Sequence, residues 1–174
     1  FGAGWARSLL GVGRRGGERG GGAPCGGGAP GSKEAAILAQ QEARFAILAL
    51  SSASGTAPFD AALRRYVDVL TADGGLEVEL EVDRTIRLAP DEQIEIFRIV
   101  QEGLANVRKH ANATRAEVTI GQRPFGERFV TITDDGDGFD GEEAEAGQGL
   151  KNMRARAESI EGGFSLRSTP GRGT

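Results

Sequence analysis

The chain has 174 residues, of which 39% are hydrophobic, 26% charged and 6% aromatic, which suits one folded domain with an aliphatic core plus flanking segments. One Cys (Cys25) and one His (His110) exclude an internal disulfide and a zinc site built from several Cys and His ligands. A net charge of −4 argues against nucleic acid as a partner, and no apolar run approaches the roughly 20 residues that cross a bilayer.

Glycine and charge are unevenly spread. Thirteen of the 28 glycines lie between Phe1 and Gly31, where Arg7, Arg14, Arg15 and Arg19 face only Glu18; this leaves −7 for the remainder. Such a stretch buries too little to offset its backbone entropy, so residues 1–32 are expected to be disordered. Ile37, Leu38, Phe45, Ile47, Leu48 and Leu50 recur at three- and four-residue spacing and predict a helix within 33–52. After the breaker-rich 51–58, Asp60 is expected to cap a second helix carrying Leu63, Tyr66, Val67 and Leu70, closed by Gly74 and Gly75. Leu76 to Val82 alternates without error, which predicts a half-buried antiparallel strand with Leu76, Val78, Leu80 and Val82 inward.

Pro90, Asp91 and Glu92 suit the opening turn of the longest helix, whose apolar positions carry it to about His110. Strands are expected at 116–120 and 129–133 around a Gly/Pro hairpin loop, then a mobile glycine-rich stretch at 136–149. A helix over 150–160, a strand over 164–167 and a turn at Thr169, Pro170 and Gly171 complete the pattern. Helices mixed with antiparallel strands predict a two-layer α+β fold. The chain opens on Phe rather than Met and stops where a strand is expected to continue, so it reads as a fragment with a sheet edge left unpaired.

Three clusters carry chemistry. Glu102, Asn106 and His110 are spaced i, i+4, i+8, with Arg108 and Lys109 beside them. A carboxylate, an amide oxygen and cations on one face suit magnesium and a polyphosphate, although a merely solvated polar face has the same pattern. Asp134 ends a strand and is followed by Gly136 and Gly138. Its carboxylate can accept a hydrogen bond from an exocyclic amine, and the glycines admit a flat base; an acidic calcium loop is the competing reading, though the spacing is not that of an EF-hand. Gly147, Gln148, Gly149 and Leu150 lead into a helix, where backbone N–H groups suit an anion.

In this order the clusters resemble the ATP-binding domain of sensor histidine kinases, in the superfamily that includes gyrase, heat-shock chaperone and mismatch-repair ATPases. Residues 97–111 look like the N box, 134–139 like the first glycine box, 147–154 like the second, and 171–174 like the final Gly-x-Gly-Thr. The flanking words are similar to those of the nitrate- and oxygen-sensor kinases, from about Glu42 to Thr174. The resemblance implies a Bergerat-type sandwich over 58–174, preceded at 33–52 by the second helix of a dimerisation and phosphoacceptor hairpin. It implies that Asp134 takes the adenine amine, with Thr174 supporting through a water and Gly138 under the base beside Gly136. Asn106 would hold Mg²⁺, and Glu102 would orient or deprotonate the nucleophile. Lys109 and His110 would meet the phosphates of ATP, with the backbone at Gly147, Gly149 and Leu150 closing over them.

The partners so implied are ATP, a response regulator and a second copy in the full-length protein, with no nucleic acid. The resemblance and the absence of a signal peptide imply a cytoplasmic domain, with any membrane attachment through upstream segments. The sequence departs from the family at the acceptor: the stretch where a phosphorylated His belongs falls in 1–31 and contains none. A nucleotide-binding regulator of the anti-sigma-factor type, or a pseudokinase, is the alternative function.

Overall fold

The computed structural model describes residues 5–8, 55, 58–139 and 147–174. The expected helix within 33–52 and the stretch 140–146 lie outside the described residues. Helix α1 spans Phe59–Leu70 and buries Ala62, Leu63, Tyr66 and Val67, one stripe of a 3.6-residue period. Asp60 does not cap it. Pro58 holds the N-cap position without a side-chain bond, and Asp60, within the first turn, faces Arg84 at 3.5 Å instead. Gly74, at φ +71°, makes the left-handed turn that follows.

Strand β2 (Glu77–Val82) alternates as expected, with Glu77, Glu79 and Glu81 exposed and Val78, Leu80 and Val82 half-buried. Its pairing is not as expected: β2 runs parallel to β3 (Arg115–Gln122), from Glu77 against Arg115 to Val82 against Ile120. The reason is the connection. Helix α2 (Pro90–Asn106) lies between the two strands in sequence, and a crossover helix returns the chain to the same end of the sheet, which produces parallel partners. The Glu92 carboxylate accepts the Ala89 N–H at 2.7 Å and pairs with Arg128 at 2.7 Å, tying the start of α2 to the sheet.

Strand β3 pairs antiparallel with β4 (Arg128–Asp134) through a tight hairpin whose tip, Phe125, is fully exposed at φ +76°. Helix α3 (Gln148–Ser159) packs beside α2, with Arg156 on Glu95 at 2.8 Å, and leads to the short strand β5 (Gly162–Phe164). The strand expected at 164–167 is thus shifted towards the N-terminus. The sheet order is β2-β3-β4-β1-β5, where β1 is Trp5–Ser8. This strand lies within 1–32, and the rest of that stretch, expected to be disordered, lies outside the described residues. Trp5–Ser8 runs parallel to both neighbours, with Trp5 opposite Arg128 and Gly162. A lane with unpaired backbone groups on both sides can order a segment that has few apolar side chains to bury.

The helices cover one face of this mixed sheet, as the two-layer α+β expectation requires. Leu63, Phe97, Val100 and Leu104 meet Val118, Ile120, Ile132 and Met153 in one fully buried core. Among the described residues, no helix is long and apolar enough to cross a membrane.

Candidate functional site

The site lies where the C-terminal end of α2, the end of β4 and the start of α3 converge. Helix α2 stops at Asn106 and not at His110; Val107–Ala111 continues as a single π turn ending on Asn112 at φ +53°. The wider i→i+5 winding breaks the expected stripe, so His110 does not follow Asn106 by one α-helical turn. Lys109 and His110 both project to solvent. Arg108, grouped in the sequence with the phosphate cations, is turned elsewhere: its guanidinium donates to the Leu70 carbonyl and pairs with Asp73 beyond α1. Arg108 therefore clamps α1 to the π turn.

Glu102 and Asn106 remain together on one face, and the start of α3 presses on them. A Cβ added to Gly149 would collide with Glu102 Oε1 and lie 3.3 Å from Asn106 Nδ2. With any larger residue at 149 the Glu102 carboxylate would have to swing aside. Asn106 is buried, 8% exposed, and its Nδ2 has no hydrogen-bond partner among the described residues. An orphaned buried amide costs free energy unless something else fills its coordination. Since the two ends of an amide are assigned and not seen, the same cradle accommodates an Oδ1 turned toward an oxygen-seeking cation. Below this face Tyr66 donates to the Gln101 carbonyl at 3.2 Å and packs against Phe97 at 5.7 Å, and burial chiefly, with Glu102 nearby, pushes its phenol far above the ordinary range.

The second group is built on Asp134. Its Oδ1 accepts the Gly136 N–H at 2.9 Å, and its backbone exchanges both hydrogen bonds with Thr174, at 2.9 and 3.3 Å. Burial raises the Asp134 carboxyl above its ordinary value, opposed by the Gly136 N–H. Gly136 is buried against Ala111, where a Cβ would strike the carbonyl, and the Asp137 N–H donates to that same carbonyl at 2.8 Å. Gly138, at φ +60°, has no room for a Cβ beneath Thr169. The first glycine box is thus wedged between the π turn and the 168–174 loop. Gly147 is exposed and Leu150 buried, so the start of α3 presents its backbone while Leu150 anchors it. The structure brings Glu102, Asn106 and Gly149 together, and Asp134, Gly136, Gly138 and Thr174 together. Lys109 and His110 are exposed on the π turn.

Asp135 has a role that the acidic-loop reading missed. Its carboxylate accepts from the Thr114 N–H at 2.9 Å, the Thr114 hydroxyl at 2.7 Å and the Arg115 N–H at 2.8 Å, which pins the chain as it enters β3. These bonds, the Arg115 one foremost, hold its carboxyl below the ordinary value. The contact of Asp135 with Thr114 and Arg115 joins residues 21 and 20 positions apart, and nothing local signals it. Asp135→Ala is expected to cost about 1 kcal/mol, a few degrees in melting temperature, because the site is exposed and the bonds compete with water. A depressed carboxyl stabilises above the ordinary carboxylate range and loses that contribution as acid protonates it, so thermal melts of wild type and Asp135→Ala should converge at low pH. Equal melts at neutral pH would remove this role.

Residues 91–174 match the family model described as histidine kinase-, DNA gyrase B-, and HSP90-like ATPase. The chain is similar to the signal transduction histidine-protein kinase/phosphatase DegS of Brevibacillus brevis, 35% identical over 64% of this chain and 29% of that protein. It is also similar to the nitrate/nitrite sensor protein NarQ of Escherichia coli, 32% identical over 68% of this chain and 21% of that protein. The chain spans less than a third of these relatives. A blue-light activated histidine kinase from Erythrobacter litoralis shares the fold at a TM-score of 0.65 and 20% identity, over 81% of this chain and 47% of that one. The relatives are sensor kinases, which does not favour the alternative of a nucleotide-binding regulator. Both residue groups of the site fall inside 91–174, and those residues form an ATP-using domain of the histidine kinase-, DNA gyrase B-, and HSP90-like ATPase family.

Proposed function

We propose that residues 58–174 form the catalytic unit of a two-component sensor kinase, which passes the γ-phosphate of Mg·ATP to a histidine on a dimerisation hairpin and thence to a response regulator. In this reading 33–52 is the second helix of that hairpin, and the full-length protein is a homodimer. The observation that carries the proposal is the cradle of Gly149 against Glu102 and the orphaned Asn106 amide.

Asp134 accepts the adenine amine and Thr174 supports it through a water; Gly136 and Gly138, expected to make room for the base, instead let the turn pack on Ala111 and Thr169 and so hold Asp134 in place. Asn106 holds Mg²⁺ through its side-chain oxygen; the ion, when bound, neutralises phosphate charge. Glu102, one turn earlier, orients the incoming imidazole and takes up its proton. Lys109 and His110 on the π turn meet the phosphate tail, and the backbone N–H groups of Gly147, Gly149 and Leu150 close on it, aided by the positive end of α3. The chain's contribution is positioning and charge complementarity, which phosphoryl transfer chiefly needs.

The test mixes the chain with γ-labelled ATP and a separately purified hairpin from a related kinase. Acid-labile, base-stable label on the hairpin is expected. The chain itself should stay unlabelled, because His110 is its one histidine and, on the same turn that would contact the phosphates of ATP, it lacks the in-line approach that attack requires. ATP binding without transfer to any such hairpin would return the protein to the class of nucleotide-binding regulators.

A further inference from the structure

Ser168 was not among the residues that the sequence motifs singled out. It lies half-buried in the loop between β5 and Thr174, and its hydroxyl is the hub of the loop contacts around the second residue group. Ser168 Oγ accepts the Phe139 N–H at 2.8 Å, lies 3.2 Å from the Gly173 carbonyl oxygen, and lies 2.8 Å from Thr174 Oγ1. A hydroxyl has one proton and two acceptor sites. The Gly173 carbonyl can only accept and the Phe139 N–H can only donate. All three contacts are therefore satisfied together in one arrangement: Ser168 donates to Gly173, accepts from Phe139, and accepts from the Thr174 hydroxyl.

That arrangement has a consequence for Thr174. With its proton committed to Ser168, Thr174 Oγ1 faces any further partner as an acceptor. Asp134, whose backbone is paired with Thr174, is an acceptor as well when ionised. We propose that Ser168 is a positioning residue that sets the base selectivity of the site. Fixed in this way as an acceptor, the Thr174 hydroxyl takes one proton of the bridging water while the Asp134 carboxylate takes the other. Water and carboxylate then both read hydrogen-bond donors, which an aminopurine offers and an oxopurine edge lacks at the same position. The proposal rests on the assignment of Asp134 and Thr174 to the base.

The experiment measures binding of ATP, GTP and purine riboside triphosphate, which lacks the exocyclic amine, to the full chain by titration calorimetry. Ser168→Ala should weaken ATP roughly fivefold to tenfold, as expected for one misdirected hydrogen bond, and leave purine riboside triphosphate nearly unchanged. Preference for ATP over GTP should fall in parallel. Ser168→Thr, which keeps the hydroxyl, should restore it. In a Thr174→Val background, Ser168→Ala should add little, because the effect travels through Thr174. An equal loss for all three nucleotides, or fully additive losses in the double variant, would overturn the proposal in favour of a purely structural role. Should Ser168→Ala fail to fold, Ser168→Cys, of similar size and a weak hydrogen bonder, supports the same comparison. Absence of Asp134-dependent ATP binding in the wild type would defeat the base-site assignment itself, whereas Asp134-dependent binding that ignores Ser168 would defeat this inference alone.

Discussion

Asp134→Asn is expected to lower ATP affinity tenfold or more and, at the same time, to raise the melting temperature of the nucleotide-free chain. The first effect follows from removing a carboxylate that accepts a charge-assisted hydrogen bond, worth about 1.5–3 kcal/mol. The second follows from burial, which holds the Asp134 carboxyl above its ordinary value. An acid whose value is raised by folding stabilises only while protonated; ionising it in the folded chain costs stability, and that cost grows as pH rises through the raised value. Asn carries no such cost and still offers an oxygen to the Gly136 N–H. The melting-temperature advantage should therefore be present near neutrality and shrink on acidification toward the ordinary carboxylate range. Calorimetry with unchanged affinity would take Asp134 out of base recognition. A lower melting temperature near neutrality would show that the carboxylate stabilises the empty fold.

The Asn106 variants should separate metal binding from shape. Asn106→Ala removes the side-chain oxygen, and even indirect partners of a bound metal typically contribute 10–100-fold, so magnesium-dependent ATP affinity should drop by at least about that much. Asn106→Asp keeps an oxygen and should retain most of it. The empty chain should tolerate the loss, because Ala leaves no orphaned amide where Nδ2 now has no partner among the described residues. Binding measured with magnesium and with a chelator decides the matter. Identical affinities for both variants under both conditions would mean that the α2 face is only solvated.

Much of this architecture is legible in the residues, and the exceptions share a cause. The amphipathic stripes of α1 and α2, the alternation of β2 and the hairpin of β3 and β4 are local patterns, and each is present. The direction of β2 is not local. Alternation shows which face is buried but not which way the partner runs, and the crossover through α2 decides that. The π turn at Val107–Ala111 has no signature in a run of residues that continue a helix well, so His110 reads as one turn beyond Asn106 when it is not. Arg108, Asp135 and Ser168 are engaged with partners 35, 21 and 29 positions away. Contacts of that range are set by topology. The glycines stand out in the sequence, but the reason for one of them does not: Gly136 is required by its packing on the Ala111 carbonyl, a partner 25 positions away, and not by an approaching base.

The alternating acids of β2 also govern how the molecule behaves toward its own copies. As the terminal strand of the sheet among the described residues, β2 leaves one row of backbone donors and acceptors open there. A second molecule adding its own β2 there would bring Glu77, Glu79 and Glu81 face to face with their counterparts, and like charges directly opposite each other disfavour pairing. The largely exposed Arg115 pairs with Glu79 at 2.8 Å and lies opposite Glu77 in the register, so one cation serves both acids. Colloidal stability is thus written into the same strand that completes the fold, and it is conditional: acid that neutralises the carboxylates, or salt that screens them, removes the barrier to sheet-on-sheet growth at this edge.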